Sequence, residues 1–163
     1  MLIVSDPMAP TGSQMHRTPE VEDLARRFYG ALRRVDLSQI RCSISTGTGL
    51  VWVGVGDTEW WTGHDTVVEV FRAQLAQGES IDLVHHDPIS FGDGNIAWLS
   101  DQPALRRADR DDLPLRLTAV AHREDGSWRF IQWHLSHGAP DHSGRASGSQ
   151  AQTDGRVTRP SGP

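Results

Sequence analysis

The sequence lacks lysine altogether and contains a single cysteine, and both features exclude classes of chemistry. All sixteen cationic side chains among its 163 residues are arginines. Schiff-base catalysis and a phosphate-binding P-loop both need a primary amine, so both are excluded. Because Cys42 is alone, neither an intrachain disulfide nor a cysteine metal cluster is expected. The formal net charge of −5 provides no basic field for nucleic acid or an anionic membrane.

Long apolar runs are missing as well. The start, MLIVSDPMAPTG, has only a short apolar run and no basic leader, so we predict no signal peptide, no membrane span and a cytoplasmic location. Residues 1–18 show no periodicity, and residues 141–163 have almost no large apolar side chain. Both segments are predicted to be disordered tails, because they cannot offset their ordering entropy by burial. The folded domain is therefore expected at residues 19–140.

Apolar residues at helical spacing predict two main helices. In the first, Thr18 is the expected N-cap and Pro19 the first helical residue. Its apolar stripe consists of Val21, Leu24, Phe28, Leu32 and Val35. The segment DLSQIRC predicts a short second helix, and TVVEVFRAQLAQ predicts a longer one that Gly78 ends. The apolar side of this last helix is expected to carry Val67, Val70, Phe71 and Leu75.

The second half of the chain changes to the period of strands. LVWVGV predicts one early strand, and four more follow the last helix: SIDLVHHDPISF, NIAWLSDQPALR, LPLRLTAVAHR and SWRFIQWHLS. The turns GDG, ADRDD and EDG separate these four, which indicates an antiparallel meander. Helices followed by a meander predict an α+β fold, in which a curved antiparallel sheet wraps around the long N-terminal helix.

The last hairpin determines which side chains face the interior. We predict a three-residue EDG loop with a glycine bulge, which places Arg123 opposite Ser127. This register directs Trp128, Phe130 and His134 outward, and outward aromatics predict a homodimer interface on that face. The inner face is then expected to carry Leu115, Leu117, Ala119, Ala121, Arg129, Ile131, Trp133 and Leu135.

Histidine motifs suggest catalysis or metal binding, but their spacing argues against both. His134 and Ser136 are two residues apart on one strand, about 6.6 Å, and no G-x-S-x-G elbow surrounds the serine. His85 and His86 are adjacent on a strand and point to opposite faces, so they cannot hold one metal together. We predict neither a metal site nor a cofactor.

One carboxylate is expected on the inner face. Asp101 shares its strand parity with Ala97 and Leu99, so burial would raise its pKa and make it a usable acid or base. Alternatively, the strand ends earlier and Asp101 is solvated or paired with an arginine. Tyr29, the only tyrosine, is a candidate donor into the same interior. The expected pocket residues are Trp60, Trp61, Leu99, Ala119, Trp133 and Leu135, although tryptophans in a small domain are equally often plain core.

The order of elements and the ending DGSWRFIQWHLSHGAP resemble the nuclear transport factor 2-like superfamily. Within it, EWWTGHDTVVEVF is similar to the segment of SnoaL-like domains that leads into the pocket-closing helix. The ending is also similar to the association domain of calcium/calmodulin-dependent protein kinase II, with its D-G-x-W followed by H-x-S. The resemblance covers residues 20–140 and implies a cone, in which a strongly curved sheet and a long helix enclose a hydrophobic pocket.

Relatives in this superfamily include a ketosteroid isomerase, polyketide cyclases, dehydratases, limonene epoxide hydrolase and non-catalytic modules. Their catalytic members use an Asp or Glu base, sometimes with a Tyr donor, so the resemblance implies Asp101 and Tyr29 for these roles. The pocket arginines of the kinase domain are replaced by Ala119 and Leu135, which implies no anionic ligand. We predict a homodimer that holds a small, largely apolar molecule, with proton-transfer chemistry of isomerase, cyclase or hydrolase type. The alternative is a non-catalytic ligand-binding or dimerisation module.

Overall fold

A computed structural model describes residues 14–77 and 80–137, which form three helices and nine strands. Most of both predicted tails lies outside the described residues, and so does Gly78 as a helix stop. Within the described part, no helix is long and apolar enough to cross a membrane.

The three predicted helices are confirmed as α1 (Pro19–Arg34), α2 (Leu37–Ser43) and α3 (His64–Ala76). Acidic residues in the first turn of α1 and arginines in its last turn complement the helix dipole. Thr18 holds the N-cap position, but its hydroxyl donates to the His16 carbonyl at 3.3 Å and does not cap the helix. The predicted stripe is buried as far as Leu32, whereas Val35 is exposed because α1 ends there in a left-handed conformation, with φ of 59°.

The strands form a curved, mixed sheet. They are β1 (His16–Arg17), β2 (Val51–Val53), β3 (Trp60–Thr62), β4 (Leu83–Val84), β5 (Ile89–Asp93), β6 (Ile96–Asp101), β7 (Ala104–Leu105), β8 (Leu113–Glu124) and β9 (Ser127–His137). The main order is β1-β5-β6-β8-β9-β2-β3, and β7 pairs with both β4 and β8. The predicted meander is β5, β6, β8 and β9, and the α+β class is confirmed. The sheet is not wholly antiparallel, since β2 runs parallel to β9.

The predicted register of the last hairpin is wrong. Asp125 and Gly126 have φ angles of 49° and 80°, so they form a two-residue loop that pairs Glu124 with Ser127. Two consecutive left-handed residues are what the tightest hairpin turns require, and Asp-Gly suits them. A β-bulge between Val120 and Ala121 then shifts the pairing by one residue.

The two-residue loop changes which aromatic side chains face outward. Phe130 lies opposite Ala121 and is 0% exposed, so it belongs to the interior. Trp128 shares that side of the sheet and packs against the core, with the Arg123 guanidinium 5.0 Å from its ring centre. The placement of Trp128 and Phe130 on an outer interface was therefore wrong, because the predicted loop was one residue too long. His134 is exposed, opposite Thr118.

An aromatic cluster occupies part of the space between the helices and the inner face of the sheet. The Phe28 ring lies 5.0 Å from Trp133 and 5.8 Å from both Phe71 and Phe130. The Trp52 and Trp133 rings are stacked, 4.9 Å apart and 5° from parallel. The parallel pairing of β2 with β9 places the two tryptophans opposite each other, which determines this stacking. The cluster forms the floor of the site described next.

Candidate functional site

A cavity of about 260 Å³ lies between α1, α3 and the inner face of the sheet. Its wall is mainly aromatic and aliphatic, and most of its side chains come from elements far apart in the chain. An apolar cavity of about 150 Å³ already holds a benzene ring, so this one has room for a larger apolar molecule. The apolar lining residues are Phe28, Leu32, Trp52, Val55, Trp61, Val67, Val70, Phe71, Ile81, Leu83, Leu105, Leu115, Trp133 and Leu135.

Two polar side chains, Glu59 and Gln74, complete the wall. Glu59 lies on the turn between β2 and β3 and is half-buried, whereas Gln74 is exposed on α3. Both side chains keep contact with solvent. Among the described lining residues, Glu59 is the only one with a charged side chain.

The turn between β2 and β3 is built to bring Glu59 to the cavity. The Gly56 amide donates to Glu59 Oε2 at 3.0 Å, and the Gly54 amide donates to the Glu59 carbonyl at 2.9 Å. A Cβ atom at Gly54 would overlap the Glu59 carboxylate and lie 2.9 Å from its Cβ. Glycine at position 54 therefore leaves room for the acid to fold back over the strand. Glu59 Oε1 accepts no hydrogen bond from any residue that the structure describes.

The structure brings three of the six predicted pocket residues to this cavity: Trp61, Trp133 and Leu135. Leu99 and Ala119 are buried in the core and do not line it. Trp60 is 66% exposed, because it is opposite Val53 on the outer side of the sheet, so its assignment to the pocket is wrong. Glu59 is not among the residues predicted from the sequence, because its place on the wall depends on the turn between β2 and β3. The glycines that flank it were the available sign of a tight turn.

Asp101 and Tyr29 lie together, but away from the cavity. Asp101 is buried, as its parity predicts, with 7% of its surface exposed. Its Oδ2 accepts from the Tyr29 hydroxyl at 2.8 Å, and its Oδ1 accepts from the backbone amides of Asp87 at 2.9 Å and Gln102 at 2.8 Å. Neither side chain lines the cavity, and all three donors hold the carboxylate in place. These hydrogen bonds connect α1, β6 and the segment before β5, and we call the Tyr29–Asp101 pair the brace. The catalytic roles of the two residues stay predictions.

Tyr29 is kept neutral by its surroundings. Burial raises the pKa of its hydroxyl well above the ordinary value, and the negative charge of Asp101 and the hydrogen bond to it raise it further. A hydroxyl that keeps its proton is a permanent donor to Asp101. The ring also packs against His86, with ring centres 4.9 Å apart.

A second polar cluster lies next to the turn of the hairpin formed by β8 and β9. Glu124 accepts hydrogen bonds from the Ser45 hydroxyl and from the amide and hydroxyl of Thr46, at 3.2 and 3.3 Å. Burial raises the pKa of Glu124, but these hydrogen bonds and the nearby Arg129 together lower it below its ordinary value. The cluster joins the segment between α2 and β2 to the end of β8.

The residues of the remaining histidine motifs do not line the cavity described above. His85 is exposed and lies 3.6 Å from Asp112, while His86 packs on Tyr29. His134 and Ser136 pair with different residues of β8, Thr118 and Arg116. No group of three metal-ligating side chains occurs among residues 14–77 and 80–137.

The fold defines the class of protein. An NTF2-like protein of unknown function from Pseudomonas putida KT2440 superposes with a TM-score of 0.63 at 16% identity, over 79% of this chain and 92% of that one. An NTF2-like family protein from Streptomyces avermitilis, whose name proposes dehydratase activity, gives 0.63 at 17% identity, over 74% and 96%. A protein from Thiobacillus denitrificans, named as a proposed calcium/calmodulin-dependent protein kinase type II association domain, gives 0.59 at 16% identity, over 72% and 94%.

These likenesses show the NTF2-like, cystatin-like fold alone. A family model, the SnoaL-like domain, matches residues 21–140. The chain therefore belongs to the SnoaL-like domain family. No functionally curated protein matches it at a significant level.

Proposed function

We propose that this protein binds a small, largely apolar molecule in the cavity between α1, α3 and the sheet. The observation that carries the proposal is the composition of the wall, in which fourteen apolar side chains surround two polar ones. A concave apolar site with a few polar groups is typical of small-molecule sites. The aromatic floor of Phe28, Trp52 and Trp133 suits a flat or cyclic molecule.

The geometry favours binding over catalysis by the Asp101 and Tyr29 pair. Proton transfer of isomerase, cyclase or hydrolase type needs an acid or base on the cavity wall. Of the described residues on this cavity wall, Glu59 alone has such a group, whereas Asp101 lines a separate surface pocket and accepts three hydrogen bonds from within the fold. The dehydratase activity proposed for the Streptomyces avermitilis protein belongs to the same acid–base class. At 17% identity it does not transfer to this chain.

A cavity-filling substitution tests the proposal. Val70 lines the cavity from α3, so Val70→Trp should fill it and weaken the binding of 2-naphthylmethanol at least tenfold, measured by isothermal titration calorimetry. Ala73→Trp is the matched control, because Ala73 is an exposed residue of the same helix outside the cavity wall. Circular dichroism checks that both variants fold. Equal affinities for the two variants, or no binding to the wild type, would contradict the proposal.

We also propose that two copies of the chain pair through the outer face of the sheet. Four large hydrophobic side chains that project from this face are exposed in the single chain: Trp60, Ile89, Ile96 and Trp98. Trp98 stacks on Phe91 and is paired with Val120, so the apolar surface continues across β5, β6 and β8. Contiguous exposed apolar surface of this kind favours a partner. A second copy presents the same apolar face, as a two-fold interface requires.

A cytoplasmic location completes the proposal. Its support is the single cysteine, Cys42, which is exposed and has no second cysteine in the chain with which to form a disulfide. Exposed thiols persist in reducing compartments and become oxidised elsewhere. Fractionation of cells that express the full chain tests this. Recovery in the cytoplasmic fraction would support it, and recovery with exported proteins would contradict it.

A further inference from the structure

We infer that the molecule bound in the cavity carries a cationic amine, which Glu59 recognises. This inference rests on the proposed function of the same cavity. The starting observation is a single carboxylate on an otherwise apolar wall, with no arginine among the described residues that line the cavity. The Glu59 side chain forms no ion pair with any described residue, so its charge is not neutralised within the part of the chain that the structure describes.

The turn that holds Glu59 leaves one oxygen available. Oε2 accepts from the Gly56 amide at 3.0 Å, which fixes the orientation of the carboxylate. Oε1 has no partner among the described residues, although Glu59 itself is half-buried. A positioned carboxylate with a free oxygen on the wall of an apolar cavity can accept a charge-assisted hydrogen bond from a ligand.

The free-energy cost of removing water from the Glu59 carboxylate indicates which head group the ligand carries. A purely apolar molecule that fills the cavity would remove water from Glu59 and give nothing in return, which is unfavourable. A ligand carboxylate would be repelled by the like charge. An ammonium group replaces the lost water with an ion pair to Glu59. The expected order of affinity is amine, then alcohol, then carboxylate.

Three probes that share one ring system test this order. Isothermal titration calorimetry at neutral pH and low salt compares 2-naphthylmethylamine, 2-naphthylmethanol and 2-naphthoate. We expect the amine to bind about tenfold more tightly than the alcohol, since a hydrogen bond to a charged group at a partly exposed site is worth about that factor. The carboxylate should bind more weakly than the alcohol. The ratio of amine to alcohol affinity should fall as salt is added, because the interaction is electrostatic.

Two variants should reduce that ratio towards one. Glu59→Gln keeps the shape of the side chain and removes the charge. Gly54→Ala introduces a Cβ where the Glu59 carboxylate lies, and so displaces it. The matched control is Asp57→Asn, which removes an exposed charge from the same turn outside the cavity wall and should leave the ratio unchanged.

The outcomes separate this inference from the proposed function. If the alcohol binds and the amine has no advantage, or if Glu59→Gln keeps the advantage, the inference is overturned and the cavity remains a binding site. If none of the three probes binds to the wild type, both ideas fail. An advantage that Asp57→Asn also removes would assign the effect to the general charge of the turn, and would overturn the role of Glu59.

Discussion

Tyr29 gives an unusually clean test of the brace that it forms with Asp101. It is the only tyrosine, and the sequence has no lysine, so few other side chains titrate at the same alkaline pH. Its residue surface is 2% exposed, and its hydroxyl donates to Asp101 Oδ2 at 2.8 Å. Burial and the charge of Asp101 raise the pKa of the hydroxyl. We predict that Tyr29 keeps its proton in the folded protein at a pH where a free tyrosine is ionised.

The sign and size of the effect on stability follow from this shift. Below pH of about 10, Tyr29 is protonated in both the folded and the unfolded chain, and it adds no pH dependence. Above that value the unfolded chain loses a proton that the folded chain keeps, so the free energy of unfolding falls by about 1.4 kcal/mol per pH unit. Tyr29→Phe removes this slope. At neutral pH the same change should cost about 1.5–3 kcal/mol, because the buried Asp101 carboxylate loses a donor.

Two measurements check this prediction. Tyrosinate absorbance of the wild type, followed as the pH rises, should stay flat until the protein unfolds. Urea unfolding of the wild type and of Tyr29→Phe, both carrying Cys42→Ser so that no thiol titrates, gives the pH dependence of each stability. Tyrosinate absorbance near pH of about 10 in the folded protein would refute the reasoning. A parallel alkaline loss of stability in both proteins would refute it too.

Two further predictions concern the polar cluster around Glu124 and the outer face of the sheet. Ser45→Ala should cost roughly 1 kcal/mol at neutral pH, because Glu124 loses a hydrogen bond. Since the pKa of Glu124 is lowered in the folded protein, this cost should shrink as the pH falls below the ordinary range of a glutamate, which acid-range unfolding curves can show. A pH-independent cost would contradict it. Trp98→Arg should convert a dimer to a monomer, as measured by light scattering. Val35→Arg, at an exposed site at the end of α1, should leave the dimer intact. A monomeric wild type would refute the interface.

Much of the architecture could be predicted because local patterns determine it. The stripe from Val21 to Leu32 predicts α1, and its burial confirms that helical period. The alternation of Ala97, Leu99 and Asp101 predicts which side of β6 faces inward, and all three residues are buried. Neither prediction depends on a residue distant in sequence. Local periodicity is sufficient wherever one face of an element is plainly apolar.

The register of β8 and β9 could not be predicted in the same way, because a β-bulge leaves no clear mark in the sequence. Asp125 and Gly126 suit either loop length, and the choice between them reverses the face of Phe130. The observed register uses both devices, a two-residue loop and a bulge at Val120, so that Phe130, Trp133 and Leu135 all reach the same side. Packing around Phe28 selects this arrangement, and packing is not a local property.

The candidate site was harder to predict, because its wall is assembled from distant segments. Trp61 was named together with its neighbour Trp60 as a tryptophan that could line a cavity, whereas Glu59 reaches the cavity only through the turn at Gly54 and Gly56. Asp101 showed the opposite problem. Its burial followed from the strand, but the three donors that occupy its carboxylate could not be inferred from the sequence.

The most direct test of the central claim is to locate a bound apolar molecule by NMR. With methyl-labelled protein, titration with 2-naphthylmethanol should shift the methyl signals of Leu32, Val70 and Leu135, which line the cavity. The methyl signals of Ile89 and Ile96 on the outer face should stay in place. Saturable shifts confined to the cavity residues are the predicted result. No shifts at all, or shifts only at the two outer isoleucines, would contradict the account.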